Sequence, residues 1–155
     1  MIALTLKQPW ASLVAYGWKS IETRSWATAY RGPIAIHSSD QMSDADMTLA
    51  QRYAALMGGA VIPYCLGSVL AIAQLVDVIP TTDVTFSSRR SRGEWIRVWD
   101  SDYSASNMER EFGDYTDGRY AWLLSDIELL KEPVPVRGAL GLWCWKDDEA
   151  SLVNA

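Results

Sequence analysis

Several residue types are scarce in this chain, and each scarcity removes a class of chemistry. There is one histidine, His37, and a lone imidazole with no second histidine and no cysteine or carboxylate at ligand spacing gives no metal site. The two cysteines, Cys65 and Cys144, lie far apart without a C-x-x-C pair, so neither a zinc ribbon nor a disulfide framework is indicated, and both are expected reduced and buried. No cofactor is implied. Positive charge is also short: 14 Lys and Arg against 19 Asp and Glu leave a net charge of −5. A protein that coats duplex nucleic acid through its overall field needs the opposite balance, so any contact with nucleic acid has to be local. No run of about 18 apolar residues is present, which gives no membrane partner, and the start MIALTLKQPW lacks a secretory pattern, so the cytoplasm is the expected compartment.

What remains is the composition of a folded protein, 49% hydrophobic and 21% charged over 155 residues, with eight tryptophans as its unusual investment. A chain of this length buries roughly 70% of its unfolded surface, enough for one domain. We expect a single domain over residues 1–146, with an extended excursion at about 81–118 and an acidic, frayed tail at 147–155. Met1 to Leu6 reads as a strand, and Pro9 opens a short helix that Gly17 stops. Trp18 to Trp26 alternates as a second strand, which puts Glu22 and Arg24 on one side with Trp26 and gives Lys19 the opposite parity. Lys19 can therefore join them only from the strand entrance or through a bulge. After the Arg31-Gly32-Pro33 turn, Ile34 and Ile36 face a core and His37 the other side. Ser43 begins a helix with an apolar stripe of Met47, Ala50, Ala54 and Met57. Leu66 to Ile79 reads as a buried strand bent at Gly67. Apolar residues thin out from Thr81 to Gly118, leaving at most a short strand at Glu94 to Trp99. Arg119 to Leu130 reads as a strand, Pro133 to Gly138 as a rigid link and Leu140 to Trp145 as a closing strand. The class is α+β and β-rich: a small, mixed, partly closed β-barrel with peripheral helices.

The chemistry concentrates between Leu4 and Gly32. Gln8, Lys19, Glu22, Arg24 and Arg31 lie there among the indoles of Trp10, Trp18 and Trp26. Indoles offer stacking faces and the polar groups hold edges, the combination that suits a base or nucleotide. The pattern G-x-K-x-x-E-x-R at Gly17, Lys19, Glu22 and Arg24, with QPWASL upstream and RG-x-I-A-I-H downstream, resembles the ASCH family, named for activating signal cointegrator homology. The resemblance continues through Cys65 to Val69, Tyr120 to Leu124 and the Pro133 to Trp143 ending. It implies a PUA-like β-barrel with a cleft beside the G-x-K-x-x-E-x-R segment and a role in RNA, nucleotide or modified-base recognition. Some small members resemble amidohydrolases of acetylated cytidine that use a lysine, a threonine and a glutamate, and others resemble ribonucleases. Lys19 matches that lysine, but Glu22 stands where those enzymes carry the threonine, and neighbouring Thr23 has the wrong strand parity.

The expected ligand-binding set is Gln8, Lys19, Glu22, Arg24, Trp26, Arg31 and His37. Glu22 and Gln8 would read a base edge, Trp26 would stack, Lys19 and Arg24 would meet phosphate or ribose, and Arg31 would stand at the margin. A surface ion-pair cluster is the bland alternative for the charged members, and a hydrogen-bonded structural role the bland alternative for His37. The rival function is a hydrolase of a modified nucleoside or of RNA, with Lys19 and Glu22 as its catalytic pair. A protein–protein adaptor is a third reading, which leaves any protein partner unspecified. Arg89, Arg90, Arg92 and Arg97 form the sole basic cluster, either a solvated loop or a flap that follows a phosphate backbone.

Overall fold

A computed structural model describes residues 1–146; the acidic tail expected at 147–155 lies outside the described residues. Strand outweighs helix, 40% against 18%, and the fold is of the β-rich α+β class anticipated from sequence. The chain divides into two compact units. Among the described residues, one holds 1–16, 33–73 and 126–146; the other holds 17–32 and 74–125.

The first unit begins with β1 (Ile2–Leu6) and α1 (Trp10–Ala15), continues with β3 (Gly32–Ser38) and α2 (Asp44–Leu56), and ends with β9 (Leu142–Cys144). It also takes the first half of β4 (Ser68–Pro80) and the second half of β8 (Tyr120–Pro135). Its strands follow the order β8-β4-β3-β1-β9. The sheet is mixed, since β1 pairs parallel with β3, Ile2 opposite Ile34, and antiparallel with β9, Ile2 opposite Cys144. Ile34, Ala35, Ile36 and His37 are all buried, so β3 is covered on both faces, as an interior strand with a parallel partner tends to be. Ala3, Ala35, Val69, Leu130 and Trp145 form a core cluster. Ser43 caps α2 through a reciprocal box with Asp46, as its position before two acids anticipated. The buried stripe of α2 runs through Ala50, Tyr53 and Met57, while Met47 is half exposed. Two further expectations change. Cys65 and Cys144 are free, but Cys65 is half-buried and Cys144 exposed. The segment read as a rigid link from Pro133 is strand as far as Pro135.

The second unit contains β2 (Ile21–Arg24), which pairs antiparallel with the start of β8, Glu22 opposite Trp122 and Arg24 opposite Tyr120. The excursion at 81–118 is far more ordered than its composition implies. It holds a 3-10 turn at Thr81–Asp83, β5 (Val84–Ser87), β6 (Trp95–Arg97), β7 (Tyr103–Ser106) and α3 (Asn107–Glu111). The three strands form their own sheet in the order β5-β7-β6. Ile21, Ile79, Val84, Tyr103, Ala105, Ala121 and Leu123 make its core, with Phe86, Trp95 and Tyr115 packed against it. All four β7 residues are buried, and its three small side chains, Ser104, Ala105 and Ser106, let neighbours pack closely around a short alternation that puts Tyr103 and Ala105 in the core.

Candidate functional site

The charged residues of the G-x-K-x-x-E-x-R segment converge within the second unit. Lys19 stands just before β2 begins, at the strand entrance, which is how a residue of opposite parity reaches Glu22. Its side chain is fully buried. The ammonium donates to the Ile21 carbonyl and lies 3.7 Å from the Glu22 carboxylate and 3.9 Å from that of Glu109. Glu109 is itself buried to 0% exposure. It accepts from the backbone N–H groups of Ser20 at 3.0 Å and Ile21 at 3.0 Å, and from the Ser20 hydroxyl. Burial pushes the Glu109 carboxyl above its ordinary range, against the pull of Lys19 and of those N–H donors. One cation thus sits between two carboxylates, and one of the carboxylates also clamps the backbone where β2 starts.

Glu22 and Arg24 point the same way, as alternation requires, and form an ion pair at 3.8 Å. The Arg24 guanidinium also lies over the Trp26 ring, 5.7 Å from its centroid. Trp26 meets the fully buried Trp122 edge-on at 4.7 Å, and Trp122 donates its indole N–H to the Trp26 carbonyl. Glu22 retains 10% side-chain exposure and Arg24 24%, while Lys19 and Glu109 have essentially none. Lys19 and Glu109 are therefore the base of the arrangement, and Glu22, Arg24 and half-buried Trp26 are its outward groups.

The other residues singled out by type are used differently. Gln8, fully buried in the first unit, donates to the Ser12 hydroxyl at 2.8 Å and the Cys65 carbonyl at 2.7 Å, and accepts from the Ser12 N–H at 3.0 Å. Its amide has little left to offer a base edge. His37 is also held from both sides. Trp143 donates to the Thr5 hydroxyl at 3.1 Å, the Thr5 oxygen lies 3.1 Å from Nδ1, and Nε2 lies 2.9 Å from the Val136 carbonyl. Because a carbonyl only accepts, Nε2 carries the proton and Nδ1 accepts from Thr5. Burial holds the imidazole below its usual pKa, the Val136 bond opposing. Gly138 closes over the ring, where an added Cβ would stand 2.5 Å from Cε1. Arg31 pairs with Asp77 at 2.9 Å, and Asp77 also accepts from the Tyr103 hydroxyl.

Glu109 is the member that inspection of the sequence missed. A signal exists: Ser106 and Glu109 have the S-x-x-E spacing of a helix start, and Ser106 does accept from the Glu109 N–H. The carboxylate turns instead to the entrance of β2, a contact 88 and 89 residues away in the chain that no local pattern announces. Tyr115 is a second such residue. Its ring packs edge-on to Phe86 at 4.8 Å, and its hydroxyl is buried with no hydrogen-bond partner among the described residues. Burial, with Glu109 and Glu22 adding to it, keeps that phenol well above its ordinary pKa.

Among the described residues no group of His, Cys, Asp and Glu is arranged to hold a metal ion, and no helix is long and apolar enough to cross a membrane. The fold is strand-rich and of the α+β class, with a buried lysine at the entrance of β2 standing behind Glu22 and Arg24. The chain belongs to the ASCH domain family, matched over residues 4–91, a PUA-like family associated with RNA binding. Among solved structures it is similar to a mutant ZmASCH protein from Zymomonas mobilis, with 13% identity and a TM-score of 0.50 over 94% of this chain and 89% of that one. It is also similar to ASCH from Zymomonas mobilis, with 16% identity and a TM-score of 0.49 over 96% and 88%. No curated protein matches the chain.

Proposed function

We propose that the protein recognises a base of RNA, a nucleotide or a modified nucleoside at the row formed by Glu22 and Arg24 of β2 and Trp26 just beyond it. The observation that carries this reading is the support given to Glu22. A carboxylate that is nearly buried, at 8% residue exposure, is held by Lys19 behind it and Arg24 beside it. Such a group is expensive to desolvate and weak as a stabilising device. Its use is as a fixed acceptor for the exocyclic amine or ring N–H of a base. Trp26 supplies an aromatic face next to it, and Arg24 supplies donors for a keto or phosphate oxygen. Lys19 positions Glu22 in this scheme: its three partners leave it behind the ligand, in place of the phosphate contact first expected of it. Gln8, His37 and Arg31 drop out of the contact set because their hydrogen bonds are made within the protein.

A hydrolase of a modified nucleoside or of RNA is the second reading. The 3.7 Å separation of Lys19 and Glu22 gives the convergence such a reaction needs. The occupied Lys19 ammonium favours recognition, since a general base or nucleophile has to reach its substrate. Both readings are tested together by incubating the pure protein with modified nucleosides and short RNAs while recording retention and product. Retention without product, lost in Glu22→Gln and weakened in Arg24→Gln, is the expected result. Product formation abolished by Lys19→Met would move the assignment to the hydrolase. Retention unaffected by all three substitutions would remove the site.

A further inference from the structure

The loop from Ser88 to Glu94, between β5 and β6, carries three arginines that the row on β2 does not use. Arg89 and Arg92 are exposed and Arg90 is half-buried, which by itself would make them ordinary solvated groups. This loop, however, is fixed at three places within its unit. Gly93, at a φ of +61°, passes so near the Gly17 carbonyl that a Cβ would stand 2.4 Å from its oxygen, so no other residue fits without backbone movement. The Arg92 guanidinium lies over the Trp18 ring, 4.0 Å from its centroid, within the distance at which a cation is held by an indole face. Trp95, just after the loop, donates its indole N–H to the Leu124 carbonyl at 2.9 Å. The two residues the loop touches, Gly17 and Trp18, immediately precede Lys19 in the chain.

The arginines themselves are left uncompensated. None of Arg89, Arg90 and Arg92 forms an ion pair with a carboxylate among the described residues, although acids outnumber bases in the sequence as a whole. The nearby acid, Glu94, accepts from the Ser91 N–H instead. Arg90 has a buried Nε with no hydrogen-bond partner among the described residues, and a buried charged donor left unsatisfied is costly. Arg97 provides the contrast, because its guanidinium donates to the carbonyls of Trp99 and Asp100 in its own hairpin.

We infer that Arg89, Arg90 and Arg92 form a phosphate-binding subsite for the RNA strand that continues from the nucleotide held at β2. This rests on the recognition reading above and extends it from a base to a strand. Arginine suits the task because its planar fork meets phosphate oxygens bidentately. A subsite of three cations on an anchored loop gives local attraction in a molecule whose overall charge opposes polyanions. Free nucleosides, which lack phosphate, would engage only the β2 row.

The test compares single-stranded RNA of about ten nucleotides with free nucleosides across a salt series. For the triple substitution Arg89→Gln, Arg90→Gln, Arg92→Gln, RNA affinity at low salt should fall at least about tenfold. The slope of log affinity against log salt should fall by about 2, since each phosphate contact on a single strand contributes roughly 0.7. Nucleoside retention should stay unchanged, and the corresponding triple lysine variant should keep most of the slope. An unchanged RNA affinity and slope, with Glu22→Gln still abolishing binding, would overturn the subsite and leave the base reading standing. Loss in the arginine variant with none in Glu22→Gln would support the subsite and remove the base reading. Wild-type protein that retains no RNA at any salt would overturn the subsite, and one that retains neither RNA nor nucleoside would overturn both.

Discussion

Two polar networks can be set side by side, the Thr5-His37-Trp143 and Gln8-Ser12 bonds of the first unit and the Lys19-Glu22-Glu109 cluster of the second. Both are buried and both draw on residues that composition alone would nominate for function. In the first unit the accounting closes. The His37 nitrogens and the Gln8 amide have named partners inside the protein, and such closure rigidifies a fold. In the second unit it does not close. Glu22 and Arg24 keep exposed edges, and the Tyr115 hydroxyl and the Arg90 Nε lack hydrogen-bond partners among the described residues. Residue type nominates candidates, and the unspent hydrogen-bonding capacity sorts them.

The sharpest break in this comparison is Glu109→Ala. It strips Lys19 of one carboxylate and leaves the N–H groups of Ser20 and Ile21 unsatisfied, so a loss of about 3–5 kcal/mol is expected in urea unfolding. A loss under about 1 kcal/mol would mean the buried cluster does not hold the entrance of β2. Gln8→Ala is next, at roughly 1–3 kcal/mol, because the Cys65 carbonyl and the Ser12 N–H lose a buried partner. RNA retention per folded molecule should not change, and a selective loss of retention would return Gln8 to the ligand set.

A pH series separates the networks further. Burial holds His37 below its ordinary 6.5, so between the two values the unfolded chain binds more protons than the folded one. The stability tied to the neutral ring is complete above 6.5 and is lost as the pH falls toward the folded value. Urea midpoints measured from pH 7.5 downward should decline in the wild type and be flatter in His37→Gln; equal slopes would contradict the neutral, doubly held imidazole. The smallest effect is expected from Tyr115→Phe. Deleting a buried hydroxyl that has no partner should leave stability unchanged or slightly raised, and a clear loss in thermal unfolding would show that the hydroxyl has a partner after all.

Much of the first 40 residues was legible because the signals there are local. Pro9 and Gly17 bracket α1, alternation places Glu22 beside Arg24, and the parity of Lys19 posed the question that the strand entrance answers. The segment 81–118 was not legible for a physical reason. The run Tyr103 to Ser106, YSAS, alternates over only four residues with a single alanine as its second apolar member, too short a period to stand out; β5 and β6 flank it, with Ala105 opposite both Phe86 and Trp95. The strand at Pro133 to Pro135 was masked by the prolines, which a strand tolerates wherever no ladder donor is required. Glu109 was hidden by chain distance, since a carboxylate that serves a backbone almost 90 residues away leaves no trace in its own neighbourhood.

The central claim is that Glu22, held from behind by Lys19, is the acceptor that reads a base. Equilibrium affinity of one short RNA for wild type and for Glu22→Gln at matched salt tests it most directly, because the amide keeps the shape but replaces an acceptor oxygen with a donor. At least tenfold weaker binding, about 1.4 kcal/mol, is the predicted result. Equal affinity in two equally folded proteins would contradict the account.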